Sequence, residues 1–172
     1  MTENELVAAC LTQNRLAQRM LYDRYKTAMY TLAYRITADF DEANDVLQDA
    51  FLDVFRTLEN FRGEATLGAW IKTIIVRKAY KKLRKTHFLE YRDEFSEAET
   101  GSIEGIEKLD SEYLEKVILS LPDGYRAVFI MIEVEGFSHK ETAQVLGISE
   151  GTTKSQLFHS KRKLRKILTH FE

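Results

Sequence analysis

The chain has 172 residues, of which 25 are Lys or Arg, 27 are Asp or Glu and one is Cys. This length suits one domain or two small ones, and an apolar content of 44% is enough to build a core. The lone Cys10 excludes an internal disulfide and a cysteine-based zinc site, and it favours a reducing, cytosolic compartment. The N-terminus lacks the features of a signal peptide, and no apolar run is long enough to span a bilayer.

Charge is distributed in blocks along the chain. Acidic residues dominate from Asp39 to Glu64, basic residues from Ile71 to Thr86, acidic residues again from His87 to Glu107, and basic residues from Lys154 to Lys166. Blocks of this size predict separate partner-binding surfaces, and the two basic blocks predict two contacts with nucleic acid. Solvated helix faces are the alternative, but such faces usually mix signs in Glu–Lys pairs four residues apart, which neither basic block contains.

Four helices are expected before residue 87. A short helix near Glu5–Ala9 is followed by one over Asn14–Thr37, one from about Asp41 and one over about Leu67–Lys85, because apolar residues recur at steps of three and four. Phe61–Thr66 interrupts the pattern and predicts a loop. The apolar side of the last of these helices is expected to carry Trp70, Ile74 and Leu83.

The helical pattern is lost and then regained in the second half of the chain. Residues 87–110 lose the periodicity and predict an acidic linker that is partly disordered when free. From Ser111 the pattern returns. Pro122 is expected at the first position of a helix that ends at Gly136, since its missing N–H is harmless there.

A helix-turn-helix is predicted from Ser138 onward. Ser138 and Glu141 have the spacing of a capping box, Gly147 suits the left-handed turn position, and Ser149 can cap the second helix. The second helix would enter the DNA major groove, and an ordinary helical hairpin is the alternative. Its core side is predicted to consist of Thr153, Leu157, Ser160 and Leu164. Its DNA-binding side is predicted to consist of Thr152, Lys154, Ser155, Phe158, His159 and Arg162.

With these features, about residues 5–168 resemble a bacterial sigma factor of the extracytoplasmic-function group. Asp45–Phe51 is similar to the family's core-polymerase-binding helix, and Phe61–Ile71 is similar to its promoter-melting segment. Leu121–Ser155 is similar to its fourth domain. The resemblance implies an all-α fold of two small helical domains, with sigma domain 2 over residues 1–86, a linker over 87–110 and sigma domain 4 over 111–172.

The resemblance implies a transcription initiation factor that binds core RNA polymerase, recognises the −10 and −35 promoter elements and aids DNA melting. The residues that would grip the clamp helices of the largest polymerase subunit are Asp45, Gln48, Asp49 and Phe51. The residues that would bind the −10 region are Asn60, Phe61, Arg62, Trp70, Arg77, Lys78, Lys81 and Arg84. The −35 element would be read by the six DNA-facing residues of the helix-turn-helix.

Aromatic rings add to the −10 prediction, because a single-strand site combines a cationic groove with stacking surfaces. Phe61, Trp70 and Tyr80 are expected beside the first basic block. For Trp70, packing in the core is the alternative to contact with a base, and it would then anchor the melting loop.

The resemblance also implies partners. These are core polymerase, through its clamp helices and flap region, promoter DNA, and an anti-sigma factor that could hold this cytoplasmic protein at the inner membrane. The free chain is expected to be a monomer without metal, cofactor or small-molecule substrate. The acidic linker would occupy the path of the nascent RNA.

Several positions depart from the family pattern. Arg77 and Lys81 stand where members often have Asn and Asp, so this helix is expected to hold phosphates rather than read bases. Thr153 stands where Val is common, on the core side. Gln156 stands where Arg is common, so one phosphate contact is expected to be missing.

Two other classes of protein are alternatives. A stand-alone helix-turn-helix regulator would explain the C-terminal motif but neither the acidic helix over Asp41–Glu59 nor the basic aromatic block. An enzyme is not expected, because the chain has no Gly-rich phosphate loop or nucleophile elbow. Its histidines also match no metal spacing; they are His87, His139, His159 and His170.

Overall fold

The computed structural model describes residues 1–87 and 110–169, which form helices and turns and contain no strand. The predicted all-α fold is therefore confirmed. The predicted acidic linker falls almost entirely outside the described residues. By their internal contacts the residues divide into two units, Met1–Lys82 and Leu83–Glu172, each of which is described by itself. The predicted boundaries at residues 86 and 110 stay predictions.

The first unit contains four α-helices, as the apolar spacing predicts. They are α1 (Glu3–Leu11), α2 (Arg15–Thr37), α3 (Phe40–Thr57) and α4 (Leu67–His87), the last of which continues past Lys82. A 3₁₀ turn over Leu58–Asn60 follows α3 and leads into the loop before α4.

Side-chain caps define where these helices begin. Thr2 and Glu5 form a capping box at α1, and the Asn14 carboxamide oxygen accepts from the N–H groups of Leu16 and Ala17 at α2. Asp39 caps α3 by accepting from the N–H of Glu42. Each cap satisfies donors that the first turn of a helix leaves without a partner.

The core of the first unit forms where α2 packs against α3 and against α1. Aliphatic side chains supply most of it, with the buried thiol of Cys10 among them. Burial raises the pKa of this thiol, which disfavours the reactive thiolate. The largest fully buried side chains here are Leu6, Leu21, Ile36, Val54, Leu58, Leu67, Ile71 and Ile75.

The second unit contains four further helices in the described residues. They are α5 (Ser111–Leu119), α6 (Asp123–Phe129), α7 (His139–Leu146) and α8 (Glu150–Thr169), with a π turn over Ile130–Val134 after α6. Helix α8 packs against α5, α6 and α7. The cluster between α5 and α8 is built on Val117, Leu121 and Leu164.

A buried arginine ties α5 to α6. The Arg126 guanidinium donates to the Leu121 carbonyl and to an Asp123 carboxylate oxygen, each at 2.7 Å. A buried cation is costly unless paired and hydrogen-bonded, and both conditions hold here. These two hydrogen bonds fix the turn between the two helices.

Local predictions differ from the structure at three points. Pro122 is the N-cap residue and not the first helical residue, since α6 begins one residue later at Asp123. The helix before Gly136 ends in a π turn, which apolar spacing does not reveal. In α4, Leu83 is buried, whereas Trp70 and Ile74 are only partly buried because the buried face is centred on Ile71, Ile75 and Ala79.

Candidate functional site

Helix α3 presents an acidic and amphipathic face. Asp45, Gln48 and Asp49 are exposed, as predicted for polymerase-binding residues. Leu52 lies three to four residues further along the same face and is 61% exposed. An exposed leucine among acids and amides is suited to a partner that has basic groups beside an apolar contact.

Phe51 does not belong to this face. It is 4% exposed and packs edge-to-face against Tyr22, with ring centroids 4.9 Å apart. The prediction that Phe51 contacts a partner is corrected: the ring lies in the core and supports α3 from inside. Sequence reasoning missed Leu52 instead, although its spacing from Gln48 and Asp49 places an apolar residue on the polar side.

Helix α4 carries a cationic stripe on the side away from the core. Arg77, Lys81 and Arg84 are exposed and follow Trp70 at helical spacing, so these four of the predicted −10 residues share a face. The sequence of α4 contains no acidic residue, so the stripe consists of cations throughout. Such a face suits contacts with phosphates.

Two lysines of α4 point instead toward α3. Lys78 Nζ lies 2.6 Å from an Asp53 carboxylate oxygen, and Lys82 Nζ lies 3.5 Å from one of Asp45. The hydrogen bond from Lys78 holds the pKa of Asp53 below its usual value. The charge of Lys78 is thus already engaged inside the unit, which weakens the prediction that it contacts DNA.

The loop before α4 is exposed and anchored at one ring. Asn60 and Arg62 are exposed, and Phe61 contacts Trp70 with centroids 5.5 Å apart. This contact agrees with Trp70 acting as an anchor of the loop. Gly63 adopts φ +72° with open space where a Cβ would lie, so only its backbone conformation requires glycine.

Tyr80 is not part of the exposed aromatic set. It is buried on the core side of α4, although the sequence places it beside the basic block. Tyr80 follows the buried Val76 by four residues, and this spacing places the two side chains on the same face of the helix. The stacking surface of this region therefore rests on Phe61 and Trp70.

The predicted helix-turn-helix is present in α7 and α8. Ser138 and Glu141 form the capping box, Gly147 adopts φ +69°, and Ser149 Oγ accepts from the N–H of Thr152. The Thr153 hydroxyl donates to the Glu150 carbonyl and therefore accepts from His139 Nδ1 at 2.9 Å. This bond fixes the start of α7 against α8.

The outward face of α8 carries most of the predicted DNA-facing residues. Lys154 and Phe158 are exposed, Phe158 by 38%, while Ser155, His159 and Arg162 are partly exposed. The His159 ring stacks on Tyr125 of α6 at a centroid distance of 5.7 Å. This contact limits the positions that the imidazole can take.

The remaining predictions for α8 change in detail. The partly buried Thr152 is bonded through its hydroxyl to Ser149 Oγ at 2.8 Å, so it reinforces the cap. Gln156, and not Leu157, completes the buried face with Thr153 and Ser160. Gln156 is 5% exposed beside Gly124, so its side chain belongs to the buried face, and the missing phosphate contact at this position stays a prediction.

Membrane insertion is not supported by any described helix. None of the helices within residues 1–87 and 110–169 has both the length and the apolar character needed to cross a bilayer.

Comparison with known families finds matches to both units. A sequence model described as Sigma-70 region 2 matches residues 21–88, and one described as Sigma-70, region 4 matches residues 111–164. The two matches together span most of the chain. They contain α4 with its cationic stripe, all of α7, and α8 as far as Leu164.

Two curated relatives match over more than four fifths of their length. The extracytoplasmic-function RNA polymerase sigma factor SigM of Mycobacterium tuberculosis is 29% identical over 171 residues, covering 97% of this chain and 85% of its own. SigW of Bacillus subtilis, of the same class, is 26% identical over 166 residues, covering 86% and 87%. A solved structure of the sigma factor RpoE of Bartonella quintana with the anti-sigma factor NepR has the same fold, with a TM-score of 0.61 and 23% identity, covering 90% of this chain and 98% of that one.

Proposed function

Because the chain belongs to the extracytoplasmic-function group of the sigma-70 family, whose members direct RNA polymerase to promoters, we propose that α3, α4 and α8 divide this work between them. Helix α3 binds core polymerase. Helix α4 and the loop before it engage the −10 region, and α8 reads the −35 element. The alternative of a stand-alone regulator accounts for the second unit only, whereas the family matches cover both.

One observation carries the assignment within the first unit. Two neighbouring helices expose faces of opposite charge, acidic on α3 at Asp45 and Asp49, and cationic on α4 at Arg77 and Lys81. DNA repels the first face and attracts the second. The two faces therefore suit two different partners, a basic protein surface and the phosphate backbone.

The polymerase-binding face is proposed to be Asp45, Gln48, Asp49 and Leu52. The acids steer a basic partner, and Leu52 supplies apolar area next to them. On this assignment the partner is the clamp-helix region of the largest subunit, and the second unit contacts the flap. An anti-sigma factor would inhibit the chain by covering the same face of α3.

The −10 site is proposed to combine the exposed loop with the stripe of α4. Arg62 and the backbone around Gly63 lie where an unpaired base could be received, with Phe61 held by Trp70 at the side. Arg77 and Lys81 then hold the phosphates of the adjacent strand. The −35 site is proposed to be Lys154, Ser155, Phe158, His159 and Arg162 of α8.

Reconstituted transcription distinguishes the proposed polymerase-binding face of α3 from the proposed DNA-binding face of α4. Promoters are first selected from a randomised template library with wild-type chain and core polymerase. Asp49→Arg is expected to abolish the complex with polymerase. Lys81→Glu is expected to keep that complex but to fail to form the open promoter complex. Asp23→Arg makes the same charge change as Asp49→Arg but on α2, and this control is expected to transcribe normally. If both surface variants fail at the same step, the proposed division is wrong.

A further inference from the structure

The short helix α1 makes a direct connection to the beginning of α4. Glu3 Oε1 accepts from the backbone N–H of Leu67 at 3.2 Å and from the Tyr25 hydroxyl at 3.1 Å. One carboxylate oxygen therefore joins α1, α2 and α4. Leu67 is the first residue of α4, so the contact lies directly beyond the loop over residues 61–66.

This carboxylate supplies what the beginning of α4 lacks. The first N–H groups of a helix have no partner within the helix and carry partial positive charge. Thr66 accepts from the N–H of Ala69, and Glu3 accepts from that of Leu67. A negative side chain from a distant helix thus contributes to the cap of α4.

Tyr25 fixes the distance between α2 and the same turn. A Cβ added at Gly68 would lie 3.2 Å from Tyr25 Cε1, so the phenol ring lies against the backbone of α4. Burial and the bond to Glu3 raise the pKa of Tyr25, which keeps its hydroxyl protonated and able to donate. Glycine at 68 and the bonded ring together determine how closely α4 approaches α2.

We propose that Glu3 is a positioning residue for promoter melting. By bonding Leu67 and Tyr25, it holds the end of the loop in one place relative to α2, so the loop is ordered before a base arrives. Glu3 does not touch DNA in this proposal and acts through the first turn of α4. The proposal rests on the function proposed above, in which the loop receives an unpaired −10 base.

The test compares variants of α1 in the complete complex of chain and core polymerase on a promoter selected with the wild type. Glu3→Ala removes both bonds, and Glu3→Gln keeps an oxygen that can accept them. Glu5→Gln is the matched control, because Glu5 belongs to the same helix and its carboxylate accepts only from the Thr2 backbone N–H among the bonds described. Opening is followed by the fluorescence of 2-aminopurine placed in the −10 element.

Glu3→Ala is expected to slow promoter opening by at least about tenfold, because it removes both hydrogen bonds to a charged carboxylate and the loss of one such bond corresponds to about that factor. Polymerase affinity and closed-complex formation are expected to stay within about twofold of wild type, which a general loss of folding would not allow. Glu3→Gln is expected to recover most of the opening rate, and Glu5→Gln to match wild type.

Two results would overturn the proposal. One is an opening rate for Glu3→Ala equal to that of Glu5→Gln. The other is a parallel loss of polymerase affinity and opening, which would make Glu3 merely structural. A loop variant, Arg62→Ala, distinguishes the underlying function: if it opens promoters normally, the loop assignment fails, whereas slow opening by Arg62→Ala with normal opening by Glu3→Ala rejects only the positioning role.

Discussion

Leu52 and Phe51 are neighbours in the chain, but Leu52 is exposed whereas Phe51 lies in the core, and this difference gives a sharp prediction. Leu52 is 61% exposed, whereas Phe51 is 4% exposed. Burying a complete leucine side chain stabilises a contact by about 1.5–3 kcal/mol. The exposed share of Leu52 can therefore contribute about 1–2 kcal/mol when a partner covers it. Leu52→Ala should weaken binding to core polymerase by about 5- to 30-fold.

The same substitution should hardly affect folding. An exposed side chain removed from a helix usually changes stability by less than about 0.5 kcal/mol. Phe51→Ala should behave in the opposite way and cost about 3–5 kcal/mol of folding free energy, because it opens a cavity beside Tyr22. Its effect on polymerase binding should disappear once the measurement is restricted to conditions in which the variant is folded.

Two assays together decide the matter. Fluorescence anisotropy of labelled chain with core polymerase gives the dissociation constants, and thermal unfolding by circular dichroism gives the stabilities. The reasoning is refuted if Leu52→Ala binds polymerase as tightly as wild type, or if folded Phe51→Ala is the variant that loses binding. Either result would mean that the partner approaches a different side of α3.

Three more predictions follow from the ion pairs and the buried amide. Lys81→Gln should reduce the slope of log binding constant against log salt concentration by about 0.7–0.9, the equivalent of one phosphate contact. Lys78→Gln should reduce this slope less, because Lys78 is already paired with Asp53. Equal slopes for the two variants would contradict that pairing. The Asp53–Lys78 pair should contribute about 0.2–1 kcal/mol in a double-mutant cycle at neutral pH. Because the hydrogen bond from Lys78 lowers the pKa of Asp53 on folding, this contribution should be present above the ordinary value of 3.8 and decline as the pH falls below it; a contribution that grows on acidification would refute the argument. Gln156→Met should raise the free energy of unfolding by about 1 kcal/mol, because the buried Gln156 Oε1 has no hydrogen-bond partner among the described residues. Thermal unfolding measures the effect, with Gln144→Met at an exposed position as the control. An unchanged melting temperature for Gln156→Met would contradict the prediction.

The helices could be predicted because their signals are local. Apolar spacing located α2, α3 and α4, and the caps at Ser138, Gly147 and Ser149 located the turn of the helix-turn-helix. Each of these signals depends on residues within about one or two turns of each other. For that reason they remain readable without knowledge of the tertiary contacts.

The orientation of individual side chains was harder to predict. Phe51 lies at helical spacing between the buried Leu47 and Val54, and Tyr80 lies in the same way between the buried Val76 and Leu83, although charged residues flank both in the sequence. Gln156 is polar but lies in the buried face of α8, because the approach of Gly124 leaves room for it. Composition alone gives no indication of that space.

Contacts between residues far apart in the sequence could not be predicted from sequence patterns. The hydrogen bond from the Leu67 N–H to the Glu3 carboxylate joins residues 64 positions apart, and the Lys82–Asp45 contact joins residues 37 apart. The charge blocks indicated that acids and bases belong to different surfaces. They did not indicate that part of each block, such as Asp53 with Lys78, is neutralised between α3 and α4.

The central claim is that the acidic face of α3 is the principal site for core RNA polymerase. Its most direct test is the dissociation constant of the purified chain with bacterial core polymerase, measured for wild type and for Asp45→Arg/Asp49→Arg. The control is Asp23→Arg/Glu64→Arg, which makes the same change in net charge at exposed positions away from that face. The account predicts tight binding by wild type and control, and at least a hundredfold loss by the double variant, about 2.7 kcal/mol or more. Equal binding by all three chains, each confirmed to be folded, would contradict it.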